Sequence, residues 1–186
     1  MIRIGEHNFQ EVKARFDSLS TDLIKMEYLE SVLKMNEFGM DVRKFVFFNL
    51  GDLYAKRLMY EKAAKAFYSK SGFDSTYREK IDSLMKAGEQ FARAGNLISA
   101  EDMFARATRE ANGDQKKSIE VGKIQIFVKI AEEFEKKARM TNAVKFYEEL
   151  LKMKVSDSDK AKIKAKLIDY YKRMGKFVDA KMVESK

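Results

Sequence analysis

The feature that most constrains the fold is a small residue followed twelve positions later by alanine. Three such pairs lie in similar apolar surroundings: Gly51/Ala63, Gly88/Ala100 and Ala131/Ala143. Large apolar residues lie three or four positions from each small residue, which is the spacing of one face of an α-helix. Two antiparallel helices approach closely only where small residues lie at the crossing point and large residues fill the gap around it. The pattern therefore predicts a series of helical hairpins.

The rest of the chain supports an all-α fold. The 186 residues contain no proline, so no segment loses a backbone donor to it, and helical spacing of apolar residues continues almost throughout. Turns are indicated by Gly, Asn, Asp and Ser, and we expect Asp41 and Asp114 to cap the helices that follow them. The predicted helices span 7–18, 22–38, 42–57, 60–71, 75–95, 97–111, 115–138, 141–153, 158–174 and 176–185.

A longer motif surrounds each small residue. The four copies read Phe47-x-x-Leu50-Gly51-x-x-Tyr54 with Ala63-x-x-x-Phe67, Leu84-x-x-Ala87-Gly88-x-x-Phe91 with Ala100-x-x-x-Phe104, Phe127-x-x-Ile130-Ala131-x-x-Phe134 with Ala143-x-x-x-Tyr147, and the weaker Leu167-Ile168-x-x-Tyr171 with Ala180. This motif resembles the tetratricopeptide repeat. Two departures are intervals of 37, 43 and 37 residues between copies, against about 34 in the family, and the missing proline at the end of each repeat.

The resemblance implies a right-handed superhelix of antiparallel helical hairpins, an α-solenoid. We expect one domain over 1–186, with repeats at 42–71, 75–111, 115–153 and 158–186. The segment 1–40 carries no clean copy of the motif, and we interpret it as a degenerate or capping hairpin.

The resemblance also implies a concave groove lined by the first helix of each repeat. The groove positions that we single out are Phe45, Phe48, Asp52, Lys56, Met85, Glu89, Arg93, Glu132, Lys136, Asp169 and Arg173. The aromatic and methionine residues either form an exposed docking patch or belong to the core, which is the usual fate of such residues. Four pairs in this set have an acidic residue four positions before a basic one: Asp52/Lys56, Glu89/Arg93, Glu132/Lys136 and Asp169/Arg173. These pairs either fix the register of a bound partner or only support their own helices.

A second hypothesis starts from charge. The net charge is +8, and residues 114–186 carry +7 of it. Nucleic acid is therefore a possible partner, with Lys160, Lys162, Lys164 and Lys166 as its binding residues. Because these lysines recur at every second position, a helix spreads them around its circumference, which favours an ordinary solvated surface.

The composition leaves little room for catalysis. With no Cys and one His, the chain lacks thiolate zinc sites, two-histidine metal motifs and cysteine nucleophiles. We predict a non-enzymatic protein-binding scaffold or adaptor with no catalytic residues, no metal and no cofactor. No membrane span and no leader pattern is recognisable, so a cytoplasmic location is expected. Phe177, Val178 and Met182 of the last helix indicate a possible homodimer contact.

Overall fold

The computed structural model describes residues 4–35 and 37–185, and these residues form ten α-helices and no strand. The all-α prediction is confirmed. The helices are α1 Phe9–Ser18, α2 Asp22–Leu33, α3 Met40–Lys56, α4 Tyr60–Ser71, α5 Tyr77–Arg93, α6 Leu97–Glu110, α7 Gly113–Lys136, α8 Met140–Lys152, α9 Asp157–Arg173 and α10 Phe177–Glu184. Their bounds lie within two residues of the predicted ones, except that α2 ends five residues earlier than expected.

Asp41 accepts a hydrogen bond from an amide at the start of α3, as predicted, although it is not the N-cap residue, and Asn112 rather than Asp114 is the capping residue of α7. α3 begins at Met40, so Asp41 lies inside its first turn and accepts a hydrogen bond from the backbone N–H of Val42 at 2.8 Å. At the start of α7 the capping side chain is that of Asn112, which accepts from the N–H of Gln115 at 3.1 Å. The Gln115 side chain accepts in return from the Asn112 N–H at 3.0 Å. A reciprocal cap of this kind satisfies two otherwise free backbone donors.

The chain divides into two compact units, Met1–Lys116 and Lys117–Lys186. Unit 1 contains α1 to α6, and unit 2 contains most of α7 together with α8, α9 and α10. In unit 1 the hairpins α3–α4 and α5–α6 pack against each other through α4 and α5, and in unit 2 α8 packs against α9. The expectation of a single domain over 1–186 stays a prediction.

The small residues lie where the two helices of a hairpin approach most closely. A Cβ atom added to Gly51 would lie 2.7 Å from the ring of Phe67, and one added to Gly88 would lie 2.7 Å from the ring of Phe104. In the α7–α8 hairpin Ala131 and Ala143 are fully buried, and Phe146 packs edge-on against Phe127 with ring centroids 5.3 Å apart. The motif predicts the contacts of Gly51 and Gly88, whereas Phe146 lies beside Tyr147, the motif residue of the α7–α8 hairpin.

All four hairpins turn in the same way. After the first helix a single residue adopts positive φ, and the next residue donates its N–H to the carbonyl five residues earlier, as in a Schellman motif. The positive-φ residues are Leu58, Gly95, Ala138 and Gly175. The bonds that close the turns run from Met59 to Tyr54, Asn96 to Phe91, Arg139 to Phe134 and Lys176 to Tyr171, at 2.8–2.9 Å. The turn therefore repeats at the intervals that the sequence motif has.

This turn yields a stability prediction, because two of the four positions carry a side chain in a conformation that favours glycine. Leu58 has φ of 60° and Ala138 has φ of 55°. We expect Leu58→Gly and Ala138→Gly each to stabilise the fold by about 1 kcal/mol, and Gly95→Ala to destabilise it by about as much. The shift in the midpoint of urea unfolding measures these effects. Ala94→Gly, at the preceding residue with φ of −70°, is the control and should destabilise.

Candidate protein-binding surfaces

Two of the predicted groove residues line one cleft on α3. This surface, which we name the Asp52 cleft, has a volume of about 420 Å³ and includes Asn49, Asp52 and Lys56 of α3, with Phe16 of α1 and Asp22 and Lys25 of α2. The Lys25 ammonium lies 4.8 Å from the centre of the Phe16 ring. The cleft thus combines one aromatic face with charges of both signs.

The predicted aromatic patch is half-buried. It is therefore neither a fully exposed docking patch nor a fully buried part of the core, the two alternatives that the sequence left open. Phe45 packs edge-on against both Phe9 and Phe16, with ring centroids 5.5 Å apart in each pair. Phe48 lies under the ammonium of Lys86, which is 4.7 Å from its ring centre. Met85 is also half-buried. Part of each aromatic side chain is therefore used to hold α1, α3 and α5 together.

Only half of the predicted charge pairs form salt bridges. Glu89 and Arg93 are 3.0 Å apart on α5, and Asp169 and Arg173 are 2.9 Å apart on α9. Within the described residues, no salt bridge joins Asp52 to Lys56 or Glu132 to Lys136. The Arg93 guanidinium also lies 6.0 Å from the ring centre of Tyr60, so this pair is held in place from two sides.

The four lysines proposed for nucleic-acid binding point in different directions. Lys160 and Lys162 lie 3.9 Å and 3.8 Å from Asp157 and Asp159, acidic residues in the first turn of α9. Lys164 lines a cleft between α8, α9 and α10. Lys166 is bound to Glu135 on α7, with its ammonium 3.0 Å from both carboxylate oxygens. No common phosphate-binding face results from these positions.

Glu135 is the centre of a polar cluster that sequence reasoning did not find. Its Oε1 accepts hydrogen bonds from Tyr170 and, at 2.8 Å, from Tyr147, in addition to Lys166. Burial alone would raise the pKa of Glu135, but the hydrogen bonds from Tyr170, Tyr147 and Lys166 outweigh it and lower that pKa. Burial, followed by the hydrogen bond to Glu135, raises the pKa of Tyr170 to about 12. The cluster joins α7, α8 and α9 and assigns Lys166 to a structural role.

Three further clefts occupy matching places between the second helix of one hairpin and the next hairpin. The Tyr54 cleft lies between α2, α3 and α4 (≈ 460 Å³), the Arg106 cleft between α4, α5 and α6 (≈ 450 Å³), and the Tyr171 cleft between α8, α9 and α10 (≈ 370 Å³). The first two belong to unit 1 and the third to unit 2. All three volumes lie in the lower half of the range of ordinary ligand pockets, which is roughly 300–1,000 Å³.

The Tyr54 and Tyr171 clefts correspond residue by residue. Glu30 and Leu33 of α2, with its C-cap residue Lys34, recur with the same spacing as Glu148, Leu151 and Lys152 of α8. In the first cleft Tyr54 donates its hydroxyl to Glu30 Oε1 at 2.5 Å, and in the second Tyr171 donates to Glu148 Oε1. Burial is the main cause that raises the pKa of both tyrosines, and the carboxylate partner adds to it. The α2 segment, which lacks the sequence motif, therefore takes the place of a second repeat helix.

Comparison with known proteins adds no identification. No protein-family model matches the chain, and a search of curated proteins finds no match. In the part of the chain that the structure describes, no helix is long and apolar enough to cross a membrane. The same residues contain no group of three or more His, Cys, Asp or Glu side chains placed to hold a metal ion.

Proposed function

We propose that this protein is a non-enzymatic helical-repeat scaffold or adaptor that binds a protein or peptide partner. The observation that carries the proposal is the recurrence of one hairpin geometry, with the same positive-φ turn at residues 58, 95, 138 and 175. Similar units joined by the same type of turn are typical of repeat proteins, whose extended surfaces bind other proteins. In this proposal the hairpins belong to the tetratricopeptide class and stack as a right-handed superhelix.

The first helices of the hairpins provide the proposed binding surface. The Asp52 cleft offers an aromatic ring, two lysines and the two carboxylates of Asp22 and Asp52, and the Glu89–Arg93 pair presents charges of both signs in a fixed arrangement. Such charges contribute to the choice and register of a partner more than to raw affinity. Cytoplasmic residence stays a prediction from the sequence.

A homodimer through α10 belongs to the same proposal. Phe177, Val178 and Met182 expose 62%, 68% and 57% of their surface. The residues of α4 that correspond to Val178 and Met182 in the repeat are Glu61 and Lys65, which form a salt bridge at 3.1 Å. The outer face of α10 is thus apolar where the outer face of α4 is charged.

Exchange of the two charges in the Glu89–Arg93 pair tests the partner-binding proposal. The double variant Glu89→Arg with Arg93→Glu keeps an ion pair within α5 but reverses the charge that each position presents. We expect about tenfold weaker affinity for partners, equivalent to about 1.4 kcal/mol, and a lower recovery of them. Affinity capture from native lysate with quantitative mass spectrometry measures recovery, and thermal unfolding checks the fold.

The matched control is the Asp102–Arg106 pair on α6, a second helix. Its charges are 2.9 Å apart at the same four-residue spacing. Asp102→Arg with Arg106→Asp should leave the same partners bound. Equal recovery by the wild type and the Glu89/Arg93 variant, or equal losses in both variants, would contradict the proposed surface.

A further inference from the structure

We infer that the Tyr54 cleft is a second docking site and that its occupant is an acidic amphipathic helix of a partner protein. The cleft lies on the other side of α3 from the Asp52 cleft. Phe47, Leu50 and Tyr54 line the first, whereas Asn49, Asp52 and Lys56 line the second. With about 3.6 residues per turn, these two sets lie on opposite faces of one helix. The inference therefore goes beyond the proposed function, and either can fail without the other.

The floor of the Tyr54 cleft is apolar. Leu33 and Phe47 are half-buried, and Leu50 and Ala66 are buried beneath them. The Phe47 ring stacks on that of Phe73 with centroids 5.7 Å apart, which fixes its orientation. A rigid apolar floor between helices suits the hydrophobic face of a helix, which binds through side chains at three- and four-residue spacing.

The rim of this cleft is cationic. Lys34, Lys62 and Lys65 surround it, and all three are exposed. Lys34 has no carboxylate within salt-bridge distance among the described residues, and Lys62 lies 5.6 Å from the ring centre of Tyr54. Lys65 is the paired member of the rim, since it forms a salt bridge with Glu61 at 3.1 Å. Glu30, the one carboxylate among the described residues that line the cleft, already accepts a hydrogen bond from Tyr54. The charge that this rim best complements is that of glutamate and aspartate on the polar face of a bound helix.

The other two clefts show why this one is distinctive. In the Arg106 cleft the helices are bridged by polar contacts, because Lys80 pairs with Glu110 at 2.6 Å and Arg106 donates to the Tyr68 hydroxyl at 3.3 Å. In the Tyr171 cleft Asp179 replaces Lys62, so its rim carries charges of both signs. The Tyr54 cleft combines an open apolar floor with a rim rich in lysine.

A peptide titration on the full chain tests the inference. The probe is a fluorescein-labelled synthetic peptide of about 15 residues, long enough to form helix, with leucine at helical spacing and glutamate on its polar face. We expect Lys34→Glu with Lys62→Glu to weaken its binding at least about tenfold in fluorescence anisotropy. Lys137→Glu with Lys145→Glu changes the net charge equally at exposed positions outside the three clefts and should leave affinity unchanged.

Two altered probes and one competitor decide between recognition modes. Replacing the leucines by serine, or the glutamates by lysine, should abolish binding to the wild type. Equal weakening by both lysine variants, or displacement of the peptide by polyuridylate at equal charge, would overturn the inference in favour of nonspecific attraction.

A wild-type dimer in analytical ultracentrifugation that Lys34→Glu with Lys62→Glu dissociates would assign the cleft to a second copy instead. The Glu89/Arg93 exchange should not change peptide affinity, so this experiment and the capture experiment fail separately.

Discussion

Asp74→Ala is expected to destabilise the protein by about 3 kcal/mol, because the carboxylate is buried and two lysines depend on it. The Asp74 side chain has no solvent exposure. Lys70, 12% exposed, donates to Asp74 Oδ1 at 2.6 Å, and Lys44 lies 3.6 Å from the same oxygen. Loss of the carboxylate leaves the Lys70 ammonium poorly hydrated and without its main partner. The midpoint of urea unfolding measures the loss.

The effect extends beyond one ion pair because Asp74 joins several elements. Ser83 of α5, 1% exposed, donates its hydroxyl to Asp74 Oδ2 at 2.5 Å and accepts from Lys70 at 2.8 Å. Lys44 of α3 also donates to Glu79 of α5 at 2.7 Å, and this contact raises the pKa of Lys44 and lowers that of Glu79. The network therefore connects α3, α4 and α5 across the junction of two hairpins.

The control is a salt bridge of the same charge type at the surface. Asp102 and Arg106 expose 45% and 43% of their side chains, and Asp102→Ala should cost less than about 1 kcal/mol. Asp74→Asn keeps the shape of the side chain and separates the loss of charge from the loss of packing. If Asp74→Ala and Asp102→Ala shift the urea midpoint equally, the buried network does not have the stabilising role that its geometry indicates.

The sequence was sufficient to predict the hairpins because their geometry depends on local rules. The residues at Gly51, Ala63 and their counterparts are small because two consecutive helices approach closely there. The hairpin turns lie between the two small residues of each pair, at 58, 95, 138 and 175. Even so, the residue type misleads at Leu58 and Ala138, which adopt positive φ without being glycine. Helix packing at these turns overrides the local preference.

The polar clusters and clefts could not be predicted because they depend on residues far apart in the chain. Asp74 reads as a turn residue, yet it contacts Lys44, thirty positions earlier. The alternative hypothesis from charge places Lys166 on a nucleic-acid surface, yet in the structure it binds Glu135. The Tyr54 cleft requires α2, a segment in which the repeat motif is absent. A recurring glutamate, leucine and lysine in α2 and α8 was the only signal for that cleft, and its meaning depends on the packed structure.

Gly51→Val is expected to destabilise the protein by about 1–3 kcal/mol, although valine forms helix better than glycine does. The first carbon of any side chain at this position would lie 2.7 Å from two carbons of the Phe67 ring. Phe67 is 2% exposed, so its ring has no free space into which to move. Overpacking therefore outweighs the gain in helix propensity, which is at most about 1 kcal/mol. Urea unfolding of the full chain measures the difference.

A double-variant cycle with Phe67→Leu isolates the steric cause. The smaller side chain makes room for the added methyl groups, so Gly51→Val should cost less in the Phe67→Leu background than in the wild type, with a coupling of at least about 0.5 kcal/mol. Gly113→Val is the control, since nothing lies within 4 Å of a Cβ atom at that position, and it should be neutral or stabilising. Additive losses in the cycle would contradict the close contact of Gly51 with Phe67 on which the hairpin geometry depends.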